Sequence, residues 1–223
     1  MALAAVTLGG PARAAAQGTV LSAALSADIT AADGSARVRI DYALESDART
    51  VDVELLGFGA ATADELVVLG TLGGPLPLHV ASGTRKAADL SLPSAGTDGV
   101  TRLSLAYHVP RAVERSSGRL RVRVPVASVS LPPLADVGRD VFTAEVRLPE
   151  GWSVTEGFPS GLARREDGAY AVALAVVPAV VTFRGRSDGG RPPGVPLLLS
   201  GLAGLILLGA GLAGWRQLRS IAA

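Results

Sequence analysis

Between residues 18 and 186 the apolar positions recur with a period of two. Val38, Ile40, Tyr42 and Leu44 alternate with Arg39, Asp41 and Ala43. The same spacing returns in Val51-Val53-Leu55, Leu76-Leu78-Val80, Leu103-Leu105-Tyr107-Val109 and Leu120-Val122-Val124-Val126. It continues in Phe142-Ala144-Val146-Leu148, in Tyr170-Val172-Leu174-Val176 and around Val180, Val181 and Phe183. Successive side chains on a strand point to opposite faces, so this pattern predicts strands with one buried and one wet face, as in antiparallel sheets. Turn dipeptides separate them: Asp33-Gly34, Ser82-Gly83, Asp98-Gly99, Ser117-Gly118, Glu150-Gly151 and Asp167-Gly168. About ten short strands without an amphipathic helix predict an all-β ectodomain, an antiparallel β-sandwich. It is expected either as one large sandwich or as two immunoglobulin-like lobes. In the second form, residues 17–110 make one lobe and 111–186 the other, with a boundary near Pro110.

The pattern changes completely at the C-terminal end. Residues 195–215 (VPLLLSGLAGLILLGAGLAGW) carry no charge. As a helix this stretch is about 31 Å long, enough to cross a hydrocarbon core of roughly 30 Å. It is expected to be a single transmembrane α-helix, with Trp215 at the interface and residues 216–223 as a short cytoplasmic tail bearing Arg216 and Arg219. On a helical wheel Ser200, Ala203, Gly204, Ala210, Gly211 and Gly214 fall within one sector, interrupted by Leu207. Small residues let two membrane helices approach closely, so Ser200, Gly204, Gly211 and Gly214 form the expected face for self-association or a partner helix. Residues 187–194 (SDGGRPPG) have the composition of a stalk and reach at most about 28 Å, which keeps the ectodomain near the bilayer.

Orientation is set less directly. Arg184, Arg186 and Arg191 precede the span and Arg216 and Arg219 follow it, so the positive-inside count does not decide. The deciding segment is residues 1–16, where Ala2 to Leu8 is apolar and Ala12-Arg13-Ala14 and Ala14-Ala15-Ala16 fit small-x-small cleavage. A signal peptide there puts the N-terminal domain outside the cytoplasm. A plain N-terminus leaves a tail-anchored cytoplasmic protein.

The run PLLLSGLAGL followed by basic residues resembles the C-terminal segment of PEP-CTERM proteins, which exosortases process. The resemblance covers residues 192–219. The Pro-Glu-Pro triplet is replaced by Pro192-Pro193-Gly194, the basic cluster is reduced to Arg216 and Arg219, and Ile221-Ala222-Ala223 follow. With those departures, permanent anchoring is the expectation and a processed sorting tail the alternative. Leu92-Pro93-Ser94-Ala95-Gly96 resembles a Gram-positive sortase site, but it lies about a hundred residues before the apolar run, where such an enzyme has no use for it.

Composition then narrows the chemistry. Lys+Arg 21 against Asp+Glu 20 leaves a net charge of +1, so no nucleic-acid partner held by bulk charge is expected. Cysteine is absent, which excludes disulfides, zinc-thiolate sites and thiol nucleophiles. Aromatic residues at 4% are too few for a stacking platform. The two histidines, His79 and His108, sit in strand patterns without carboxylates at ligand spacing, so no metal or other cofactor is expected. Gly157-Phe158-Pro159-Ser160-Gly161 places its serine one position late for a nucleophile elbow, and Trp152, Phe158 and Pro159 are expected as core and turn residues of a hairpin. The lone lysine, Lys86, follows no phosphate loop, and the glycines of Gly70 to Gly74 precede no helix. Arginine so outnumbers lysine, with heavy alanine and glycine use, that a GC-rich bacterial genome is expected, and with it a periplasmic or outward-facing domain.

One polar feature stands out. Arg119, Arg121 and Arg123 share one face of a strand, opposite Leu120, Val122 and Val124. Guanidinium groups about 7 Å apart suit phosphate or carboxylate groups of lipid headgroups or an acidic polymer, unless cross-strand partners such as Glu145 or Glu54 neutralise them. Pro125 suggests that this strand lies at an edge or a bulge, open to a partner's strand. The expected function is a non-enzymatic binding or scaffolding module on a single-pass membrane anchor, a subunit of a membrane complex. A hydrolase using Ser160 with His108 is the rival from another class.

Overall fold

The computed structural model describes residues 18–70, 73–116, 118–134 and 140–187. The chain divides into two units, Met1–Arg186 and Ser187–Ala223, and everything described below except Ser187 belongs to the first. The signal peptide expected at 1–16, the transmembrane helix at 195–215, its face at Ser200, Gly204, Gly211 and Gly214, and the tail at 216–223 lie outside the described residues. So does the stalk at 187–194, apart from Ser187.

The described residues are all β. In chain order the strands are β1 (Gly18–Ile29), β2 (Ala36–Ser46), β3 (Thr50–Leu56), β4 (Glu65–Leu69), β5 (Gly74–Pro77), β6 (His79–Ser82), β7 (Arg85–Ser91) and β8 (Thr101–Val109). There follow β9 (Val113–Ser116), β10 (Arg119–Pro125), β11 (Ser128–Val129), β12 (Phe142–Arg147), β13 (Trp152–Phe158), β14 (Ala163–Arg164), β15 (Tyr170–Leu174) and β16 (Val180–Ser187). An eight-stranded sheet has the order β14-β15-β12-β1-β2-β8-β4-β5. Two four-stranded sheets run β13-β16-β10-β9 and β11-β3-β7-β6. Strands from both sides of residue 110 lie in the large sheet.

The alternation read from the sequence builds the buried face of that sheet. Ala36, Val38, Ile40, Tyr42 and Leu44 of β2 are buried, and Leu103, Leu105, Tyr107 and Val109 of β8 stand beside them. Large and small residues interleave: Ala23 of β1 lies between Tyr42 and Phe142, and Ala27 between Val38 and Val146. Val51, Val53 and Leu55 of β3, Val122 and Val124 of β10, and Val181 and Phe183 of β16 complete the same core. A single apolar cluster is thus shared by all three sheets, consistent with a β-sandwich. The glycines of the six turn dipeptides, Gly34, Gly83, Gly99, Gly118, Gly151 and Gly168, all have positive φ. At Gly34 (φ 69°) this closes the β1–β2 turn, where Thr30 N–H donates to Ser35 O at 2.9 Å.

Four features depart from expectation. First, the pairing is mixed: β1 and β12 run parallel, as does the isolated Val20–Pro133 bridge, whereas β1–β2, β10–β16, β12–β15, β2–β8 and β3–β7 are antiparallel. Second, Leu76-Leu78-Val80 is not one strand. Pro75 and Pro77 deny the ladder two donors, and the chain passes from β5, beside β4, to β6, beside β7. Val80 ends 69% exposed. Third, β10 lies between β16 and β9, so Pro125 marks no open edge. Fourth, Phe158 is 60% exposed rather than part of the core, while Pro159 is buried and Trp152 half-buried.

The two tyrosines of the large sheet point inward and fasten the segment after β10. Tyr42 Oη donates to Ala127 O at 2.5 Å and Tyr107 Oη to Pro125 O at 2.7 Å. Ala127 N–H donates back to Tyr107 Oη at 3.2 Å. The backbone of 125–127 leaves the ladder buried, and these hydroxyls satisfy its polar groups.

Candidate functional site

The β13-β16-β10-β9 sheet sets the site. On β10, Leu120, Val122 and Val124 are buried, which turns Arg119, Arg121 and Arg123 outward. On β16, Val181 and Phe183 are buried, so Arg184 and Arg186 are exposed on the same side. The antiparallel register then places Arg119 opposite Arg186 and Arg121 opposite Arg184. Residues directly opposite in such a ladder share a face, with Cβ atoms about 5 Å apart. The triplet legible in the sequence is therefore part of a cluster of five arginines.

Two carboxylates border it. Glu114 Oε1 of β9 accepts from Arg123 Nη1 at 3.0 Å, and Glu156 Oε2 of β13 accepts from Arg184 Nη1 at 3.2 Å. Among the described residues no ion pair reaches Arg119, Arg121 or Arg186. The partners expected from the sequence are engaged elsewhere: Glu145 holds Arg147 at 2.7 Å and Arg165 at 3.2 Å, and Glu54 holds Arg85 at 3.4 Å. Five cations against two anions leave a local charge of +3. Arg119, Arg121, Arg184 and Arg186 line an open groove of about 580 Å³, which Glu114 and Glu156 flank. A smaller concavity of about 220 Å³ continues it, lined by Arg121, Arg184 and the exposed Phe158.

A second set of contacts lies on the reverse side of the same sheet. Arg115 of β9, directly opposite Leu120, turns to the other face. Its Nη2 donates to Ala31 O at 2.5 Å, and its guanidinium lies 5.1 Å from the Trp152 ring centroid, a cation–π contact. Gly185 sits between Arg184 and Arg186, and the Ser153 carbonyl occupies the space its Cβ would need. Only glycine allows β13 to approach β16 there.

The remaining sequence candidates do not converge. His79 on β6 and His108 on β8 are both exposed. Ser160 is exposed in the turn leading to β14, at the edge of the large sheet, whereas four strands separate β14 from β8. Ser160 and His108 are therefore not brought together. Lys86 Nζ binds Asp64 Oδ1 at 2.5 Å and Ala63 O at 3.0 Å, a structural tether. A second concavity, about 520 Å³ on the exposed face of the large sheet, contains Asp41 and Glu145. Both are already engaged, Asp41 by Arg39 at 3.0 Å and Glu145 as above. Among the described residues no group of His, Asp or Glu side chains is placed to hold a metal ion, and no helix is long and apolar enough to cross a membrane.

No protein-family model matches the chain, and no curated protein matches it. Solved structures share a distant likeness. Native leukotriene A4 hydrolase from Saccharomyces cerevisiae has 11% identity and a TM-score of 0.41, covering 77% of this chain and 30% of that one. The yeast enzyme in complex with bestatin has 10% identity and a TM-score of 0.44, with the same coverage. An M1 zinc metallopeptidase variant from Deinococcus radiodurans has 14% identity and a TM-score of 0.40, covering 75% of this chain and 42% of that one. This chain therefore spans less than half the length of each, and at these scores no activity is carried over from them.

Proposed function

We propose that this chain is a membrane-anchored, extracytoplasmic β-sandwich that works as a non-enzymatic binding or scaffolding module, and that its arginine face receives an anionic partner. The observation that supports it is the register of β10 on β16, which sets Arg119 against Arg186 and Arg121 against Arg184. Like charges directly opposite weaken a sheet. A face that concentrates them, with three of the five unpaired among the described residues, is suited to an anion that arrives from outside.

Anchoring rests on the sequence. The uncharged run at 195–215 has the length and composition of a span, and the signal-like residues 1–16 put residues 18–187 outside the cytoplasm. The small-residue face at Ser200, Gly204, Gly211 and Gly214 suits association with a second membrane helix. Protease protection in bacterial spheroplasts tests the topology. External protease is expected to digest residues 18–187 and leave a small membrane-embedded fragment, and protection of that region contradicts the arrangement.

A further inference from the structure

We infer that the arginine face docks on anionic phospholipid headgroups of the membrane that holds the chain, with Phe158 as an apolar contact beside it. The inference rests on the anchoring read from the sequence, and it names the partner of the same face.

Three observations carry it. The first is chemical. Arg119, Arg121, Arg123, Arg184 and Arg186 face one way, in two rows about 5 Å apart, with residues about 7 Å apart along β10. Guanidinium groups bind phosphate through paired N–H donors and shed their hydration more readily than ammonium groups do. The groove is open along the sheet rather than a closed pocket, and it offers many equivalent contacts instead of one oriented cavity. That is the form a surface of repeated phosphates takes.

The second observation is Phe158. It is 60% exposed at the end of β13 and lines the concavity that also contains Arg121 and Arg184. A soluble polyanion would use the arginines alone and have no use for an exposed ring. A bilayer surface takes both, the cations at the phosphates and the ring at the acyl boundary, as interfacial segments do. The third is position in the chain. Arg184 and Arg186 lie on the final described strand, and only residues 188–194 separate Ser187 from the apolar run. The docking strand is thus the one covalently closest to the anchor, so binding of headgroups becomes an intramolecular event at high effective concentration.

The test uses the full-length chain in lipid nanodiscs. Because cysteine is absent, Ser116→Cys on β9, at the groove, gives a single site for an environment-sensitive dye. Discs of phosphatidylcholine alone are compared with discs in which one lipid in three is phosphatidylglycerol. In the anionic discs the dye is expected to shift to the blue and to be quenched by spin-labelled lipid. Both signals should disappear at high salt and in Arg119→Glu/Arg121→Glu/Arg186→Glu, and fall several-fold in Phe158→Ala. Arg119→Gln/Arg186→Gln serves as the milder variant, with circular dichroism confirming the fold of each. Equal signals in neutral and anionic discs, or full signals in the arginine variants, overturn the inference. So does loss of the anionic-disc signal on adding soluble polyphosphate with Phe158→Ala unchanged, which assigns the face to a free phosphate polymer. A chain that fails to enter the discs contradicts the anchoring instead. It is then mixed with phosphatidylglycerol vesicles, where salt-sensitive co-flotation lost in the triple variant supports the docking face and no flotation overturns it.

Discussion

Tyr107 holds two sheets together through one hydroxyl group. It donates to Pro125 O and accepts from Ala127 N–H, so removing it orphans two buried backbone groups at once. Tyr107→Phe is expected to destabilise the fold by about 1–3 kcal/mol and Tyr42→Phe by about 1 kcal/mol, measured by denaturant unfolding. The sequence displayed both tyrosines at the apolar positions of alternating strands, and that much was legible. Their role was not, because residues 125–127 (Pro-Val-Ala) lie far from β2 in the chain and the groups the tyrosines bind there are backbone, which leaves no side-chain signal.

The same burial gives an alkaline limit. Burial pushes the hydroxyls of Tyr42 and Tyr107 well above the ordinary 10.0, and in Tyr42 the neighbouring Tyr107 adds to the effect. Below pH 10 both groups are protonated in both states and contribute no pH dependence. Above it the unfolded chain loses protons that the folded chain keeps, so stability falls as pH rises, by up to about 2.7 kcal/mol per pH unit for the pair. Unfolding midpoints measured across pH 9 to 11 should drop steeply in the native protein and much less in the doubly Phe-substituted one; parallel curves contradict the assignment.

At the scale of the strand, register decides what the face can do. Each of β10 and β16 shows its arginines at alternate positions in the sequence, and this fixed which way they point. Pairing between strands sixty residues apart left no local mark, so the five-arginine cluster emerged only from the structure. For the same reason the parallel partnership of β1 with β12 was hidden, and β1 itself was obscured by its alanines and by the register shift between Val20 and Ser22. Arg186→Glu removes a like-charge neighbour of Arg119 and should raise stability by roughly a few tenths of a kcal/mol at low salt, while weakening anion binding. Opposite signs for stability and binding are the signature of a functional patch, and a simultaneous loss of both would argue against it. Gly185→Ala drives a methyl group into the Ser153 carbonyl and should loosen β13 from β16. Hydrogen exchange on β13 should then quicken while β1 and β2 keep their protection.

At the scale of the whole molecule, the described residues form an all-β body with one core, held together without disulfides because the chain has no cysteine. Its most distinctive surface, the arginine face, lies on β10 and on β16, the last strand among the described residues. On the proposed reading, the uncharged run at 195–215, a few residues beyond β16, anchors the chain in a membrane. Extraction of membranes with alkaline carbonate, comparing the full chain with one truncated after residue 187, tests it most directly. The full chain is expected in the membrane pellet and the truncated chain in the supernatant. A full-length chain that leaves the membrane with the carbonate contradicts the account.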